Sequence, residues 1–178
     1  MRFFFLRSLR EQLRAEIREQ FRRFRETGLT LDHVNGHLHM HLHPVVLDLL
    51  MQDAEALGIR HARLTHDPLR LNLALARGRY AYRFSHALIY RVLSSRARRE
   101  FARRGIRYTP HVFGLLQNAQ VDEHYVLQLL PRLPAGDSEL YSHPSLDDFR
   151  HEFEALCSPA VRETVARHNI RLLRYQDL

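Results

Sequence analysis

The sequence predicts an α/β fold in which parallel strands and helices alternate in a barrel-like arrangement. Short strand patterns alternate with helical patterns of about ten residues or more, and glycines or prolines mark many of the boundaries. Helices of this length usually connect parallel strands, and side chains at the carboxyl ends of such strands commonly form the functional site. A closed (β/α)₈ barrel usually needs about 250 residues. The 178 residues therefore predict a single domain with an incomplete barrel.

Periodicity and turn residues set the expected boundaries of the elements. Apolar spacings of three and four predict helices, whereas alternation predicts strands. The predicted helices cover residues 7–27 (ending at Gly28), 45–57 (ending at Gly58), 79–104 (ending at Gly105), 122–133 (with Asp122 as the N-cap) and 146–168 (with a break at Ser158-Pro159). The predicted strands cover residues 33–42, 60–65, 106–113, 138–142 and 170–174, and residues 65–78 fit neither pattern clearly.

The basic residues of this chain are all arginines. The sequence has 27 Lys and Arg residues, none of them Lys, and a formal net charge of +7. A chain this basic has to be weighed as a nucleic-acid-binding protein. The densest clusters, at residues 22–25 and 96–104, fall in predicted helices, and the other arginines are scattered rather than gathered in one stripe. Solvated helix faces explain this pattern more simply, so nucleic-acid binding is kept only as a second alternative.

Composition also bears on the compartment of the protein. Apolar residues make up 45% of the chain, which is enough for a buried core. No apolar run approaches the roughly 20 residues of a membrane-spanning helix. The apolar segment at residues 1–7 is too short for a signal peptide and has no cleavage site after it. The lone Cys157 fits a reducing compartment. The sequence therefore predicts a cytoplasmic protein without a membrane span.

Residues 32–44 contain the most informative pattern in the chain. Histidine occupies every second position from His37 to His43, and His33 and Asn35 share the same odd numbering. On a strand these side chains would point to one face, and the intervening apolar side chains would pack on the other. Neighbours on one face are about 6.5–7 Å apart, so one or two of the histidines, not four, are expected to bind an ion. The run predicts a metal or catalytic site on a core strand.

A simpler interpretation of the run is a polar strand face, or a tract that binds metal without catalysis. Neutral imidazoles that are buried without partners are costly, and a solvated edge strand would avoid that cost. The intervening residues Val34, Leu38, Met40 and Leu42 are instead typical of a core strand. We therefore favour the functional interpretation and leave the simpler one open.

The histidine run resembles a motif of the YdjC/ChbG-like carbohydrate deacetylases. Residues 33–44, HVNGHLHMHLHP, are similar to the family pattern H-h-D-s-H-x-H-x-H-h-x-P, where h is apolar. Residues 139–144, ELYSHP, resemble the family's E-h-x-x-H-P strand end, Arg63 stands where the family has a strand arginine, and residues 171–177 resemble its closing strand. The two histidine motifs are specific as a pair, whereas either alone would be weak.

Within that family the chain most resembles the hopanoid-biosynthesis-associated subfamily, HpnK. It shares with that subfamily the Phe3-Phe4-Phe5 start and the Asp32-His33-Val34-Asn35 segment. The resemblance implies a TIM-like barrel that binds one divalent metal ion, Mg or Zn, and hydrolyses an acetamido group on a sugar. The implied substrate is an N-acetylated sugar or a hopanoid-linked glycan, and a carboxylate would serve as the base.

The resemblance also assigns roles to particular residues. His37, by its position in the run, would be a metal ligand. His143 would be the general acid for the leaving amine, and Arg63 would stabilise the oxyanion or hold the sugar. A histidine that caps a loop before Pro144 and a surface arginine are the alternatives for these two residues.

Three further residues would lie around the metal and the substrate. The resemblance assigns Asn35, His39 and His41 to substrate contacts or to support of the metal ligand. Asn35 replaces the family's usual Asp, as it does in HpnK.

The resemblance further implies a chain that is incomplete at its N-terminus. The family's Asp-Asp motif and its first metal-binding histidine would precede Met1. The alternative function is therefore a catalytically incomplete fragment or a non-catalytic interaction module. Uncovered sheet edges and apolar faces would favour self-association, so a homo-oligomer is one expected state.

Overall fold

The computed structural model describes residues 7–178, with side chains from residue 9 onward. The chain divides into two compact units: unit 1 comprises Met1–Arg63, Leu93–Tyr108 and Arg174–Leu178, and unit 2 comprises Leu64–Val92 and Thr109–Leu173. Because two compact units can belong to one folding domain, the single-domain organisation stays a prediction. Phe3-Phe4-Phe5 and most of the segment that we judged too short for a signal peptide lie outside the described residues.

Helices account for most of the regular structure. The α-helices are α1 (Arg7–Glu26), α2 (Pro44–Gln52), α3 (Ala54–Leu57), α4 (Leu69–Leu75), α5 (Tyr80–Arg104), α6 (Glu123–Leu129), α7 (Arg150–Cys157) and α8 (Pro159–Arg167). Short 3₁₀ segments cover His37–Leu42, Leu130–Arg132 and Tyr175–Asp177. The strands are β1 (His111–Phe113) and β2 (Ser138–Leu140).

Several predicted helix boundaries are confirmed. Helix α1 ends two residues before Gly28, and α5 ends directly before Gly105. Asp122 caps α6, because its carboxylate accepts a hydrogen bond from the backbone N–H of Tyr125 at 2.8 Å. The break at Ser158-Pro159 separates α7 from α8, and the Ser158 hydroxyl accepts hydrogen bonds from the first N–H groups of α8.

The strand pairing is parallel, as predicted, but it is short. In unit 2, β1 pairs with β2 in the register His111 to Ser138, Val112 to Glu139 and Phe113 to Leu140. In unit 1, isolated parallel bridges join Val34 to Ala62 and His61 to Arg107. Helices with a small parallel sheet are compatible with the α/β class, whereas the TIM-like barrel stays a prediction.

The predicted strand at residues 33–42 is wrong. Only Val34 makes a bridge, and the chain then folds into the 3₁₀ segment, in which Leu38 and His39 have left-handed φ values of 49° and 58°. The backbone N–H of His39 donates to the carbonyl of Gly36 at 2.8 Å, which replaces a strand hydrogen bond by a turn. The alternation of histidine and apolar residues therefore does not separate two strand faces.

Other boundaries also differ from the predictions. Residues 170–174 form no strand, and the helix predicted for residues 45–57 is interrupted at Asp53, where φ is −103° and ψ is 6°. In the predicted strand 60–65, His61 and Ala62 each make an isolated bridge. In the predicted strand 106–113, Arg107 makes a bridge and residues 111–113 form β1. The unassigned residues 65–78 contain α4.

Each unit has its own apolar interior. In unit 1 a small cavity is lined by His41 and apolar side chains, namely Val34, Leu47, Leu50, Met51, Ile59, Ala62 and Phe101. In unit 2 the core joins α4, β1, α6, α7 and α8 through Leu75, Phe113, Val121, Tyr125, Val126, Leu129, Ala155 and Val161.

Candidate functional site

The histidine run of unit 1 is shaped by a tight turn at Gly36. A Cβ atom at this position would lie 2.9 Å from the backbone nitrogen of His41, closer than a methyl group can approach. Glycine therefore allows residues 36 and 41 to come together, and the run folds back on itself. His37 and Leu38 point to solvent as a result, whereas His39 and His41 are buried.

His41 is the most buried histidine of the run, at 3% exposure. Its Nε2 atom lies 2.9 Å from the carbonyl oxygen of Arg63. Because a carbonyl only accepts, the imidazole must carry its proton on Nε2 and donate it. Burial lowers the pKa of His41 to about 4. His41 is therefore a neutral, fixed side chain near neutral pH.

The other predicted residues of unit 1 have different surroundings. His37 is exposed, and its side chain makes no hydrogen bond or ion pair with any residue between 7 and 178. His39 is buried, with its ring centroid 6.4 Å from that of His41. Arg63 contributes its backbone: its N–H donates to Val34 and its carbonyl accepts from His41. His37 is thus the accessible imidazole of the 3₁₀ segment.

The carboxylate of Asp32 and the imidazole of His33 lie within ion-pair distance. Neither residue belongs to the site that the sequence predicted. The Oδ2 atom of Asp32 lies 2.9 Å from Nδ1 of His33, and Oδ1 accepts a hydrogen bond from the backbone N–H of Gln176 at 3.0 Å. Partial burial alone would raise the pKa of Asp32, but the hydrogen bonds from His33 and Gln176 lower it overall. The carboxylate is therefore charged and held on both oxygens.

Contacts with Tyr175 and Asn35 also orient the imidazole of His33. Its ring stacks on that of Tyr175, with the centroids 4.2 Å apart and the planes 19° from parallel. The side-chain amide nitrogen of Asn35 lies 3.0 Å from Nε2 of His33. Asn35 is exposed, and the side chain of His33 keeps 22% of its surface accessible. The imidazole is thus oriented by Asp32 and Tyr175, and its Nε2 atom lies beside the exposed amide of Asn35.

His143 of unit 2 follows β2, as the sequence predicted. Its Nε2 atom lies 2.7 Å from the hydroxyl of Tyr141. Its backbone N–H donates to Glu152, which is fully buried and also accepts from the N–H of Val121 at 2.9 Å. The Nδ1 atom of His143 lies 3.9 Å from the Glu152 carboxylate. These contacts fix the orientation of His143 in unit 2.

Unit 2 also contains a buried polar group of side chains that the sequence prediction missed. This group, the polar centre of unit 2, consists of Asp67, Arg83, Gln117 and Tyr125, all of them buried. The Asp67 carboxylate accepts a hydrogen bond from the N–H of Leu116 at 3.0 Å, yet burial raises its pKa to about 7. Arg83 donates to the carbonyls of residues 76 and 77, and burial together with the Asp67 charge raises the pKa of Tyr125.

One sequence signal could have located this polar centre. Asp67 lies two residues after the predicted strand 60–65, and side chains at the carboxyl ends of parallel strands are functional candidates. The Asp32-His33 pair had a weaker signal, because its third partner, the backbone of Gln176, is distant in sequence.

Many arginines of unit 1 are paired with carboxylates. Arg22 pairs with Glu19 and Glu26 on α1. Arg103 and Arg104 pair with Glu100 on α5. Further pairs join Arg23 to Glu19, Arg96 to Asp48, and Arg14 and Arg18 to Asp53. These contacts favour the interpretation as solvated helix faces over a phosphate-binding surface.

The described residues do not form a complete metal site. Between residues 7 and 178, no three His, Cys, Asp or Glu side chains converge closely enough to hold an ion. His37 offers one accessible imidazole, and a single ligand is fewer than a structural or catalytic zinc site requires. Among residues 7–178, the histidine run therefore supplies only part of a metal-binding set.

Comparisons with known proteins identify the relatives of the chain. Residues 1–167 match the family model described as YdjC-like protein. The chain is 29% identical over 199 residues to a carbohydrate deacetylase of Mus musculus and 27% identical over 195 residues to one of Homo sapiens, covering 94% of this chain in both cases. A 45-residue segment, 25% of the chain and 18% of the relative, is 40% identical to a carbohydrate deacetylase of Brevibacillus brevis.

The chain spans only part of these relatives. It covers 62% of the length of the mouse protein and 59% of the human one. No solved structure matches the chain. Over residues 7–178, no helix has both the length and the apolar character that crossing a bilayer requires.

Proposed function

Because the chain belongs to the YdjC-like family, we propose that it is a deacetylase that hydrolyses the acetamido group of an N-acetylated sugar. The observation that carries the proposal is the histidine run in its folded form. The turn at Gly36 leaves the imidazole of His37 open to solvent, and the same run presents His33 bound to a carboxylate. Accessible and oriented imidazoles are the groups that metal binding and proton transfer require.

The proposed roles of the individual residues follow from this assignment. His143 supplies the proton to the leaving amine, supported by its contacts with Tyr141 and the buried Glu152. Arg63 holds the sugar or the oxyanion through its guanidinium, and Asn35 contacts the substrate from its exposed position. His39 and His41 are buried, so we assign them to support of the run, with His41 anchored on the carbonyl of Arg63.

We also propose that the reaction depends on a divalent cation, Mg²⁺ or Zn²⁺. His37 is the ligand that this chain would contribute, because it is the accessible imidazole of the 3₁₀ segment. A bound cation would polarise the acetamido carbonyl and lower the pKa of water. The substrate that we favour is a hopanoid-linked glycan of the HpnK type, on the strength of the Asp32-His33-Val34-Asn35 segment.

Acetate release tests the proposed function. The protein, supplied with Mg²⁺ or Zn²⁺, is incubated with chito-oligosaccharides, N-acetylglucosamine and an N-acetylated hopanoid glycoside, and acetate is quantified by an enzyme-coupled assay. We expect release from at least one of these substrates. His37→Ala should lower both the metal content and the rate by about 10²-fold or more.

A matched control comes from an exposed histidine outside the run. His124 lies on α6 and is exposed. His124→Ala should keep the metal content and the rate of the wild type. Unchanged metal content in His37→Ala would refute the assigned ligand, and a wild-type protein that releases no acetate from any of the three substrate types would refute the deacetylase.

A second candidate function, a self-associating interaction module, rests on one side of α5. Tyr80, Phe84, Leu88 and Val92 are spaced by four residues, and between 51% and 64% of each residue is exposed. Contiguous exposed apolar surface of this kind marks interaction sites. Sedimentation velocity tests the idea: a dimer that dissociates in Phe84→Ser/Leu88→Ser would support it, and a monomeric wild type at high concentration would refute it.

A further inference from the structure

We propose that the first half of α5, residues 80–92, docks unit 2 on the surface of an anionic lipid bilayer. All residues of this half belong to unit 2. The docking is independent of the deacetylase chemistry, and it concerns a helix that lies on the bilayer surface rather than one that crosses it.

The first half of α5 is amphipathic in the reverse of the usual sense. Helices that pack on a core usually turn apolar side chains inward and polar ones to solvent. Here the guanidinium-bearing Arg83 is only 3% exposed, whereas Phe84, Leu88 and Val92 are between 54% and 64% exposed. Residues four apart lie on one side of a helix. Together with Tyr80, these three residues therefore form one exposed strip, which we call the apolar stripe.

Contacts on the other side of the helix hold this orientation. Arg83 donates hydrogen bonds to the carbonyls of residues 76 and 77. The rings of Tyr82 and His86 stack with their centroids 3.7 Å apart, and Nδ1 of His86 lies 2.9 Å from the carbonyl oxygen of Tyr82. A rotation of α5 that turned the apolar stripe inward would expose Arg83 and break its two hydrogen bonds. The stripe is thus a stable feature of the surface of unit 2.

The segment around the apolar stripe carries only positive charge. Residues 68–92 include five arginines and no aspartate or glutamate, whereas residues 109–173 of the same unit include nine acidic residues and five arginines. Arg77 and Arg91 lie near the two ends of the stripe, are exposed, and make no ion pair with any residue between 7 and 178. Cations that are available to an anionic partner therefore border the stripe.

An anionic bilayer matches both properties of this surface. Apolar side chains of an interfacial helix enter the boundary between the head groups and the acyl chains. Arginines at the border of such a helix can keep their guanidinium groups at the level of the lipid phosphates. Each basic residue near an anionic leaflet adds about 1 kcal/mol of attraction, a factor of about five in affinity.

Other partners match only one of the two properties. A nucleic acid would pair with the arginines but leave the apolar stripe in water. A second copy related by a two-fold axis would place the arginines of one segment near those of the other, without a carboxylate in either segment. A protein partner usually adds about one hydrogen bond per 100–200 Å², and the side chains of Phe84, Leu88 and Val92 can form none.

Co-sedimentation with vesicles measures the docking. The protein is mixed with vesicles of phosphatidylglycerol and phosphatidylcholine in equal parts, or with vesicles of phosphatidylcholine alone. We expect binding to the mixed vesicles and an affinity for the neutral ones that is about 10-fold or more lower. Added NaCl should weaken binding to the mixed vesicles, because salt screens the attraction between arginine and phosphate.

Matched variants assign the binding to the apolar stripe and to its border. Phe84→Ser/Leu88→Ser should lower the affinity for mixed vesicles by about 10-fold or more, because two inserted side chains are lost. Leu146→Ser/Leu172→Ser removes leucines of unit 2 that are 66% and 80% exposed, and it should bind like the wild type.

The border is tested by removing charge alone. Arg77→Gln/Arg91→Gln should also lower the affinity for mixed vesicles by about 10-fold or more, and it should leave binding to neutral vesicles unchanged. Equal far-UV circular dichroism spectra of all variants would show that the fold is retained.

Tryptophan fluorescence tests insertion itself. The chain contains no tryptophan, so Phe84→Trp introduces a single reporter into the apolar stripe. Its emission should shift to the blue on addition of mixed vesicles, and brominated lipids should quench it. Leu172→Trp carries the reporter outside the stripe and should show neither effect.

The opposite results would overturn the docking. These are a wild-type protein that does not bind mixed vesicles, equal affinity for mixed and neutral vesicles, or binding without a blue shift in Phe84→Trp. A dimer that dissociates in Phe84→Ser/Leu88→Ser and binds no vesicles would assign the apolar stripe to a second copy instead. Acetate release is measured separately, so failure of the docking and failure of the deacetylase are distinguishable.

Discussion

Unit 1 and unit 2 each bury a titratable side chain, and the two groups respond to pH in opposite directions. His41 of unit 1 is 3% exposed and has its pKa lowered by burial to about 4, whereas Asp67 of unit 2 is 6% exposed and has its pKa raised by burial to about 7. Both shifts have the same origin, because burial disfavours the charged form of either group. The charged form is the protonated one for histidine and the deprotonated one for aspartate.

The two units also differ in how their polar groups are satisfied. In unit 1, His41 and His33 each have a dedicated acceptor, the carbonyl of Arg63 and the carboxylate of Asp32. In unit 2, Asp67 depends on backbone N–H groups around residues 114–116, which are presented by the loop after β1. Substitutions in that loop should therefore disturb the polar centre of unit 2 more than comparable substitutions disturb the histidine run.

The largest effect is expected from Gly114→Ala in unit 2. Gly114 has φ of +96°, and a Cβ atom there would collide with the backbone oxygen of Tyr141. The left-handed conformation and the collision together should cost about 3 kcal/mol or more of the free energy of unfolding. Urea denaturation of the two proteins measures this difference.

Gly136→Ala is the matched control for this change. Gly136 has φ of +94°, but a Cβ atom there would meet nothing within 4 Å. Only the conformational term remains, so the loss should be about 1–2 kcal/mol. Equal losses in the two variants would contradict the close approach of residues 114 and 141.

The second prediction separates the two units by their pH dependence. The contribution of His41 is fully present above its unfolded pKa near 6.5 and is lost as the pH falls through about 4. The contribution of Asp67 is fully present below its unfolded pKa near 3.8 and is lost as the pH rises through about 7. Each slope is limited to about 1.4 kcal/mol per pH unit, one proton per molecule.

Amide hydrogen exchange, followed by mass spectrometry between pH 4 and 7, resolves these contributions by unit. After correction for intrinsic exchange, protection in unit 1 should rise with pH over this window, and protection in unit 2 should fall. His41→Gln should flatten the first trend, and Asp67→Asn should flatten the second. Parallel trends in the two units would refute the comparison.

The accuracy of the sequence prediction differs between helices and strands for a physical reason. The ends of α1, α5 and α6 follow local signals, such as Gly28, Gly105 and the capping carboxylate of Asp122, which act within one turn of the chain. The histidine run has strand-like alternation, but the contact of Gly36 with His41 and the start of α2 at Pro44 force a turn. Alternation alone could not reveal these tertiary constraints.

The candidate site was predicted in part for the same reason. The sequence singled out residues 33–43 and His143, because their residue types are distinctive wherever they fold. It did not single out His33 as the oriented imidazole, because that role depends on Tyr175 and Gln176 at the other end of the chain. The polar centre of unit 2 likewise joins Asp67 to residues up to 58 positions away.

The third prediction tests the turn that shapes the histidine run. Gly36 has an extended φ of −140°, so Gly36→Ala suffers only from the contact of its Cβ with the backbone of His41 at 2.9 Å. The loss of unfolding free energy should be about 1–3 kcal/mol, below that of Gly114→Ala because no left-handed conformation is involved. Reduced protection of unit 1 alone would locate the effect, and a loss larger than that of Gly114→Ala would contradict the ranking.

The smallest effect concerns the cap of α6 in unit 2. Asp122→Ala removes the acceptor for the N–H of Tyr125 and should cost about 1 kcal/mol, whereas Asp122→Asn keeps a side-chain oxygen and should cost less. Because Tyr125 belongs to the polar centre, fraying of this first turn should increase the water access of Asp67 and lower its raised pKa. The ¹³C chemical shift of the Asp67 carboxyl, titrated in both variants, measures that change. An unchanged titration in Asp122→Ala would show that the polar centre is held by β1 and its following loop rather than by the start of α6.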